Sequence, residues 1–227
     1  MKRDRTAFLT SWLKSKGRKP LVIRGARQTG KTWLVRDFAR SAKKELIELN
    51  FEKRPQYESL FTSNDPHEIL LNIEASLGKK VDPKKGLLFL DEIQMAPKLL
   101  GKLRWFAEEM PELPVIAAGS LLDFALADHE FSMPVGRISY MYLEPLSFEE
   151  FLEAIGKTEL KSFLSRYEWN KKIPEAIHQE LIKKMKEYLI VGGMPAVVST
   201  WANEKDLGLV NQVQFDLYHL SKIKFSV

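Results

Sequence analysis

Apolar residues in the first two thirds of the chain recur with two alternating periods, and the alternation outlines a fold. Phe8, Leu9, Trp12 and Leu13 fall on one helical stripe, which predicts a helix over 6–15 that Gly17 stops. Leu21-Val22-Ile23 is a short unbroken apolar run, the pattern of a strand buried on both faces. Leu34, Phe38 and Ala42 return to helical spacing over 33–42, and Leu46, Ile47, Leu49 and Phe51 make a second strand of 45–51. Asn64-Asp65-Pro66 opens a helix that carries Ile69, Leu70, Ile73 and Leu77 and closes at Gly78. After Gly86, Leu87-Leu88-Phe89-Leu90 is a wholly apolar strand running into Asp91 and Glu92. A helix over 97–110, a strand over 114–119, a short helix over 121–127 and a fifth strand over 138–143 follow, before a helix within 147–156. Such alternation predicts an α/β fold in which a parallel sheet is flanked by helices.

From Thr158 onward the pattern is helical only, with Ile177, Leu181, Met185 and Leu189 spaced by four and Gly192-Gly193-Met194-Pro195 interrupting it. Two parts are expected: an α/β domain over 1–156, opened by a basic helix within 1–19, and a C-terminal helical lid over 157–227. At 44% hydrophobic and 29% charged residues the chain has the material for a core, which excludes a disordered tail. It has no cysteine, which excludes disulfides, thiolate nucleophiles and thiolate metal sites. His67, His129, His178 and His219 show no metal-ligand spacing. No apolar run approaches the roughly 20 residues needed to span a bilayer, and the basic N-terminus lacks the apolar centre of a secretory signal. A cytoplasmic location without a membrane partner is the expectation. Residues 1–45 hold 14 Lys and Arg against 3 Asp and Glu, the remainder 21 against 27. A basic leading segment suits a polyphosphate or nucleic acid, or is simply the solvated faces of two helices.

One stretch decides between these. Gly25-Ala26-Arg27-Gln28-Thr29-Gly30-Lys31-Thr32 fits G-x-x-x-x-G-K-[ST] and lies between an apolar strand and an amphipathic helix that begins at Trp33. Glycines let such a loop wrap so that successive backbone N–H groups point at phosphate oxygens, and the helix adds its positive end. Lys31 is placed to reach the β- and γ-phosphates, and the Thr32 hydroxyl to ligate Mg²⁺. Asp91, at the end of its buried strand, is the candidate to support the metal, and Glu92 the candidate to activate a water. Many strands also end in a plain Asp-Glu turn; the loop upstream favours the chemical roles. Ser120, at the tip of the strand expected between the other two, is placed either to sense the γ-phosphate or to cap the helix over 121–127. No guanine-reading signal is present, so ATP is expected rather than GTP.

The strings Arg24 to Thr32, Leu90-Asp91-Glu92-Ile93-Gln94 and Ala118-Gly119-Ser120 resemble those of bacterial and archaeal AAA-type ATPases. So do Val135-Gly136-Arg137, Glu144-Pro145-Leu146-Ser147-Phe148-Glu149-Glu150-Phe151 and Gly192-Gly193-Met194-Pro195, and the Pro145–Phe151 string is the most specific part of the resemblance. The resemblance implies a P-loop NTPase with an extra strand between the Walker A and Walker B strands and a helical lid. It also implies that a further C-terminal domain follows in a longer protein, and that Arg137 reads the γ-phosphate in its own site or a neighbouring subunit's. Arg24 and Arg27 flank the loop within reach of phosphates, and Gln94 is a candidate to orient the water. The five tryptophans read mainly as core.

The expectation is thus Mg²⁺-dependent ATP hydrolysis. Its first rival is a nucleotide-switched binding module with slow hydrolysis, acting on DNA or a protein and open to homo-oligomerisation. Its second is a small-molecule kinase, which Glu92 beside Asp91 argues against.

Overall fold

The computed structural model describes residues 1–120, 122 and 136–223, with side chains in the last helix as far as residue 219. The helix expected over 121–127 lies outside these residues apart from Leu122. Contacts divide the chain into two units: one of Arg5–Ala26 with Gly30–Leu143, the other of Met1–Asp4, Arg27–Thr29 and everything from Glu144 onward.

In the first unit α1 (Arg5–Lys14), β1 (Leu21–Arg24), α2 (Lys31–Ser41) and β2 (Glu45–Asn50) lead through a 3₁₀ turn at Pro55–Phe61 to α3 (Pro66–Leu77). Then come β3 (Gly86–Asp91), α4 (Leu99–Glu109), β4 (Val115–Ala118) and β5 (Ser139–Tyr142). The five strands are all parallel and lie in the order β2-β3-β4-β1-β5, so β4 sits between the loop-bearing β1 and the acid-ending β3. Alternation along the strands feeds two cores. Val22, Ile47, Leu49, Leu88, Leu90, Val115 and Ala117 pack with α3, α4 and the 3₁₀ turn. Leu21, Ile23, Leu87, Phe89, Ile116 and Ala118 pack with α1 and α2 on the opposite face. Because β3 is buried on both faces, it reads as an unbroken apolar run. The 3₁₀ turn was not legible in the hydrophobic period: its two anchors, Tyr57 and Phe61, are too few to set one.

α3 illustrates how local chemistry fixes an element boundary. Asp65 accepts a hydrogen bond from the N–H of His67 at 2.8 Å, Pro66 occupies the first helical position, and Gly78 ends the helix in a left-handed conformation. Asp65→Ala removes this cap and is expected to cost about 1 kcal/mol. Thermal denaturation should show a midpoint lower by roughly 2–4 °C; an unchanged midpoint would show that the helix start is held by packing alone.

The second unit is helical: α5 (Phe148–Ala154), α6 (Thr158–Ser165), α7 (Glu175–Val191), α8 (Pro195–Glu204) and α9 (Leu207–Ile223). Leu146, Phe151, Val191, Val197, Val198 and Val210 form its core. Gly193 is required here because a side chain at that position would overlap the carbonyl of Leu146, whose own N–H donates to the Gly193 carbonyl at 2.6 Å. The stripe expected along α7 is only partly inward. Leu181 is buried, but Met185 is exposed and Leu189 is 74% exposed. Steps of four exceed the 3.6-residue turn, so such a row winds around the helix. The chain instead buries Leu181 and Val191 and packs Tyr188 against Phe151.

Candidate functional site

β1 delivers the glycine-rich loop at the C-terminal edge of the sheet. Gly25 has φ +144°, and a side chain there would overlap the carbonyl of Leu143, whose N–H continues the ladder by donating to the Arg24 carbonyl at 2.8 Å. Gly30 caps α2 with φ 90° and makes no side-chain capping bond, leaving the helix N-terminus to the loop. Lys31 is buried within the loop, where its ammonium donates to the carbonyls of Gly25 at 3.0 Å and Ala26 at 2.7 Å. Thr29 is also buried, while Ala26 and Gln28 are exposed and Arg27 is half-buried. Trp33 is exposed on the first turn of α2.

The loop meets the acidic strand through one pair. Thr32 Oγ1 donates to the Asp91 carboxylate, whose two oxygens lie 3.2 and 3.1 Å away. Asn50 also donates to Asp91, at 2.9 Å, because the register of β2 and β3 sets these two residues side by side. Burial pushes the Asp91 carboxyl above the ordinary carboxylate range, and neighbouring Glu92 adds to this, against the hydrogen bonds from Asn50 and Thr32. Glu92 adopts a left-handed backbone, φ 53° and ψ 44°, which costs a non-glycine residue energy and is concentrated at functional sites. Its carboxylate accepts from Gln94 Nε2 at 2.6 Å, and Gln94 Oε1 is buried without a hydrogen-bond partner among the described residues. Ser120 is buried one residue past Gly119 at the tip of β4, the strand between β1 and β3.

Two hard oxygen donors facing each other beneath a phosphate loop suit Mg²⁺, which takes one or two protein oxygens and completes its shell with phosphate and water. No group of three or more His, Asp or Glu residues that could hold a metal occurs among the described residues.

Other candidates lie elsewhere. Arg137 precedes β5, at the N-terminal edge of the sheet, with Ser139 beside Leu21 at the start of β1. It is thus a strand's length, on the order of 13 Å, from the loop edge, and it pairs with Glu108 at 2.7 Å. Arg24 reaches over β5, where its guanidinium lies 4.1 Å from the Tyr140 ring centre and donates to the Tyr142 hydroxyl. Trp12 is core, as expected, but Trp33 is exposed and Trp169 is 91% exposed. The basic N-terminal segment is not uniformly a solvated face, since Arg3 is buried and Arg18 donates to the carbonyls of Leu13 and Pro111. Nothing in the sequence alone singles out Asn50 or Arg3. Asn50 becomes visible only through strand register, and nothing in the sequence distinguishes Arg3 from its basic neighbours Lys2 and Arg5.

A parallel sheet of this strand order, with a glycine-rich loop leading into a helix and an acid ending the third strand, defines a P-loop NTPase fold. Residues 17–152 match the AAA domain family, and the chain belongs to that family of nucleotide-binding ATPases. No curated protein matches the chain. Among solved structures, it is similar to the Holliday junction branch migration motor RuvB of Thermotoga maritima, at 14% identity and a TM-score of 0.47. That similarity covers 87% of this chain, which spans 58% of the RuvB chain. No helix among the described residues is long and apolar enough to cross a membrane.

Proposed function

We propose that this chain binds ATP with Mg²⁺ and hydrolyses it to ADP and phosphate. The observation that carries the reading is the junction of Thr32 with Asp91 directly after Lys31. The residues of the loop, Gly25 to Thr32, wrap the phosphates with backbone N–H groups, and Lys31 exchanges its carbonyl partners for phosphate oxygens. Mg²⁺, when bound, neutralises charge on the β- and γ-phosphates, and Thr32 and Asp91 are the residues that hold it. Trp33 continues the nucleotide contact from the first turn of α2. Glu92 orients the attacking water and accepts its proton, and the buried Gln94 Oε1 supplies a second acceptor for that water. Ser120 senses the γ-phosphate from the tip of β4. Arg137, exposed at the far edge of the sheet, serves a neighbouring copy's site, which makes the working form a homo-oligomer in the cytoplasm. Residues 1–156 act as the ATPase module and 157–227 as its lid.

A second reading draws on the engagement of Glu92 by Gln94. If that contact persists with ATP bound, hydrolysis is slow, and the chain is a switch whose nucleotide state governs binding to DNA or a protein.

Asp91→Asn tests the metal assignment by stability as well as by turnover. A carboxyl whose folded pKa is raised favours folding most when protonated. Its contribution is present below the unfolded pKa and lost as pH rises through the folded one. The variant therefore melts higher than the parent at pH 7, and the gap closes as the pH falls toward the carboxylate range. With ATP present, adding Mg²⁺ raises the parent's melting midpoint and leaves the variant's unmoved. An equal Mg²⁺ response in both proteins would remove Asp91 from the metal site.

A further inference from the structure

The Glu144–Phe151 string takes no part in the phosphate chemistry proposed above. In the structure its Glu150 is half of a capping box on α5: Ser147 Oγ accepts from the Glu150 N–H at 3.2 Å, and Glu150 Oε2 accepts from the Ser147 N–H at 3.0 Å. The other oxygen, Oε1, accepts from Arg3 Nε at 3.0 Å and from the Asp4 N–H at 2.7 Å. Arg3 and Glu150 are both buried, 6% and 5% exposed. The two terminal nitrogens of Arg3 donate to backbone carbonyls, Nη1 to Thr29 at 2.7 Å and Nη2 to Glu144 at 2.6 Å. One planar fork thus serves three acceptors, an arrangement that an ammonium group does not reproduce.

The Thr29 contact has a geometric consequence. The Thr29–Gly30 peptide is planar and trans, so its C=O and the Gly30 N–H point in opposite directions. Fixing the carbonyl on Arg3 fixes the Gly30 N–H pointing away from Arg3. A phosphate loop needs its N–H groups converging on the anion and its carbonyls satisfied elsewhere. Three residues of the loop, Arg27–Thr29, group by contact with the unit that contains Arg3 and Glu150.

We infer that Arg3, locked by Glu150, is a positioning residue for the phosphate loop, holding the Thr29–Gly30 peptide in the orientation that receives a nucleotide's polyphosphate. The inference rests on the phosphate-binding reading of residues 25–32. It assigns the Glu144–Phe151 string a task, which is to present Glu150 and the Glu144 carbonyl to Arg3 so that the guanidinium has one orientation.

Removing Arg3 alone would strand a buried carboxylate and confuse positioning with unfolding. The informative variant is Arg3→Met with Glu150→Gln, which leaves no buried charge and keeps a capping-box residue at position 150. Hydrogen exchange on the nucleotide-free protein reads the loop directly. Amides of residues 25–33 should exchange about tenfold faster than in the parent, the scale of a lost hydrogen bond to a charged group, with exchange in α7 and α8 unchanged. Below both melting midpoints, affinities for ATP and for inorganic tripolyphosphate should fall together by about tenfold. The KM for ATP should rise with kcat preserved. Arg3→Lys should reproduce the loop exchange in part, since it keeps the charge but not the fork. Unchanged loop exchange, or a lower melting midpoint with parent-like tripolyphosphate affinity, overturns the inference. If the parent itself binds neither ATP nor tripolyphosphate, the phosphate-loop reading fails and the inference falls with it. A parent that binds, a Lys31→Ala variant that does not and a double variant equal to the parent defeat the inference alone.

Discussion

Glu92→Gln should bind ATP as the parent does and release phosphate about 100-fold more slowly, the scale for losing a general base. The substitution keeps the side chain's length and shape and one oxygen acceptor, so Gln94 Nε2, now 2.6 Å from the Glu92 carboxylate, retains a partner. Asp91, Thr32 and Lys31 are untouched, and binding depends on them. What disappears is the carboxylate that takes the water's proton. The strained backbone at position 92, φ 53°, is paid in both proteins and so cancels from the comparison. Nucleotide titration and phosphate release, measured side by side, give the split. Parent-like hydrolysis would reduce the Asp91-Glu92 pair to a strand-ending turn. Slow hydrolysis in both parent and variant would favour the switch reading, with Gln94 holding Glu92 out of play.

The parts of this molecule that were legible in the sequence share a cause. Leu21–Ile23, Leu87–Leu90 and Val115–Ala118 are buried on both faces and apolar without interruption, and short apolar runs are hard to mistake when helical stripes separate them. The sheet order could be anticipated only through the resemblance, because no local pattern tells β3 that its neighbour is β4. The loop was legible because its backbone conformation demands particular residues: Gly25 faces a carbonyl where no side chain fits. Asp91 was legible because it ends an apolar strand downstream of the glycine-rich loop, which favours a chemical role over a plain Asp-Glu turn.

What was not legible depends on tertiary register. Asn50 reaches Asp91 only because β2 and β3 pair residue for residue up to that point. Arg3 is joined to Glu150 across nearly the whole chain, and its sequence neighbours, Lys2 and Asp4, look like any solvated terminus. The position of Arg137 is likewise a matter of register. Its string resembles a γ-phosphate reader, yet the strand it precedes runs parallel to β1, which puts it at the edge away from the loop. The helical neighbours of Trp169 predict core packing, but it follows α6, a helix with no buried residue, and it is 91% exposed.

Lys31→Ala should weaken ATP binding about 30-fold. The ammonium is buried at the mouth of α2 and held by two loop carbonyls, so in the free protein it already stands where phosphate oxygens would arrive. Exchanging two neutral acceptors for anionic oxygens strengthens its hydrogen bonds, and a charge-assisted contact contributes on the order of 2 kcal/mol, which is about 30-fold in affinity. The loss should grade with phosphate charge: large for ATP, smaller for ADP and small for AMP, whose single phosphate lies farthest from the β- and γ-positions. Removing the ammonium also leaves the carbonyls of Gly25 and Ala26 without this donor, which loosens the loop and lowers the melting midpoint. Titrating well below both melting midpoints separates the lost contact from the loss of folded protein. Titration of the variant with ATP, ADP and AMP decides the matter. Equal affinities in parent and variant would show that residues 25–32 are a glycine turn and not a phosphate site, whatever Glu92→Gln had shown about turnover.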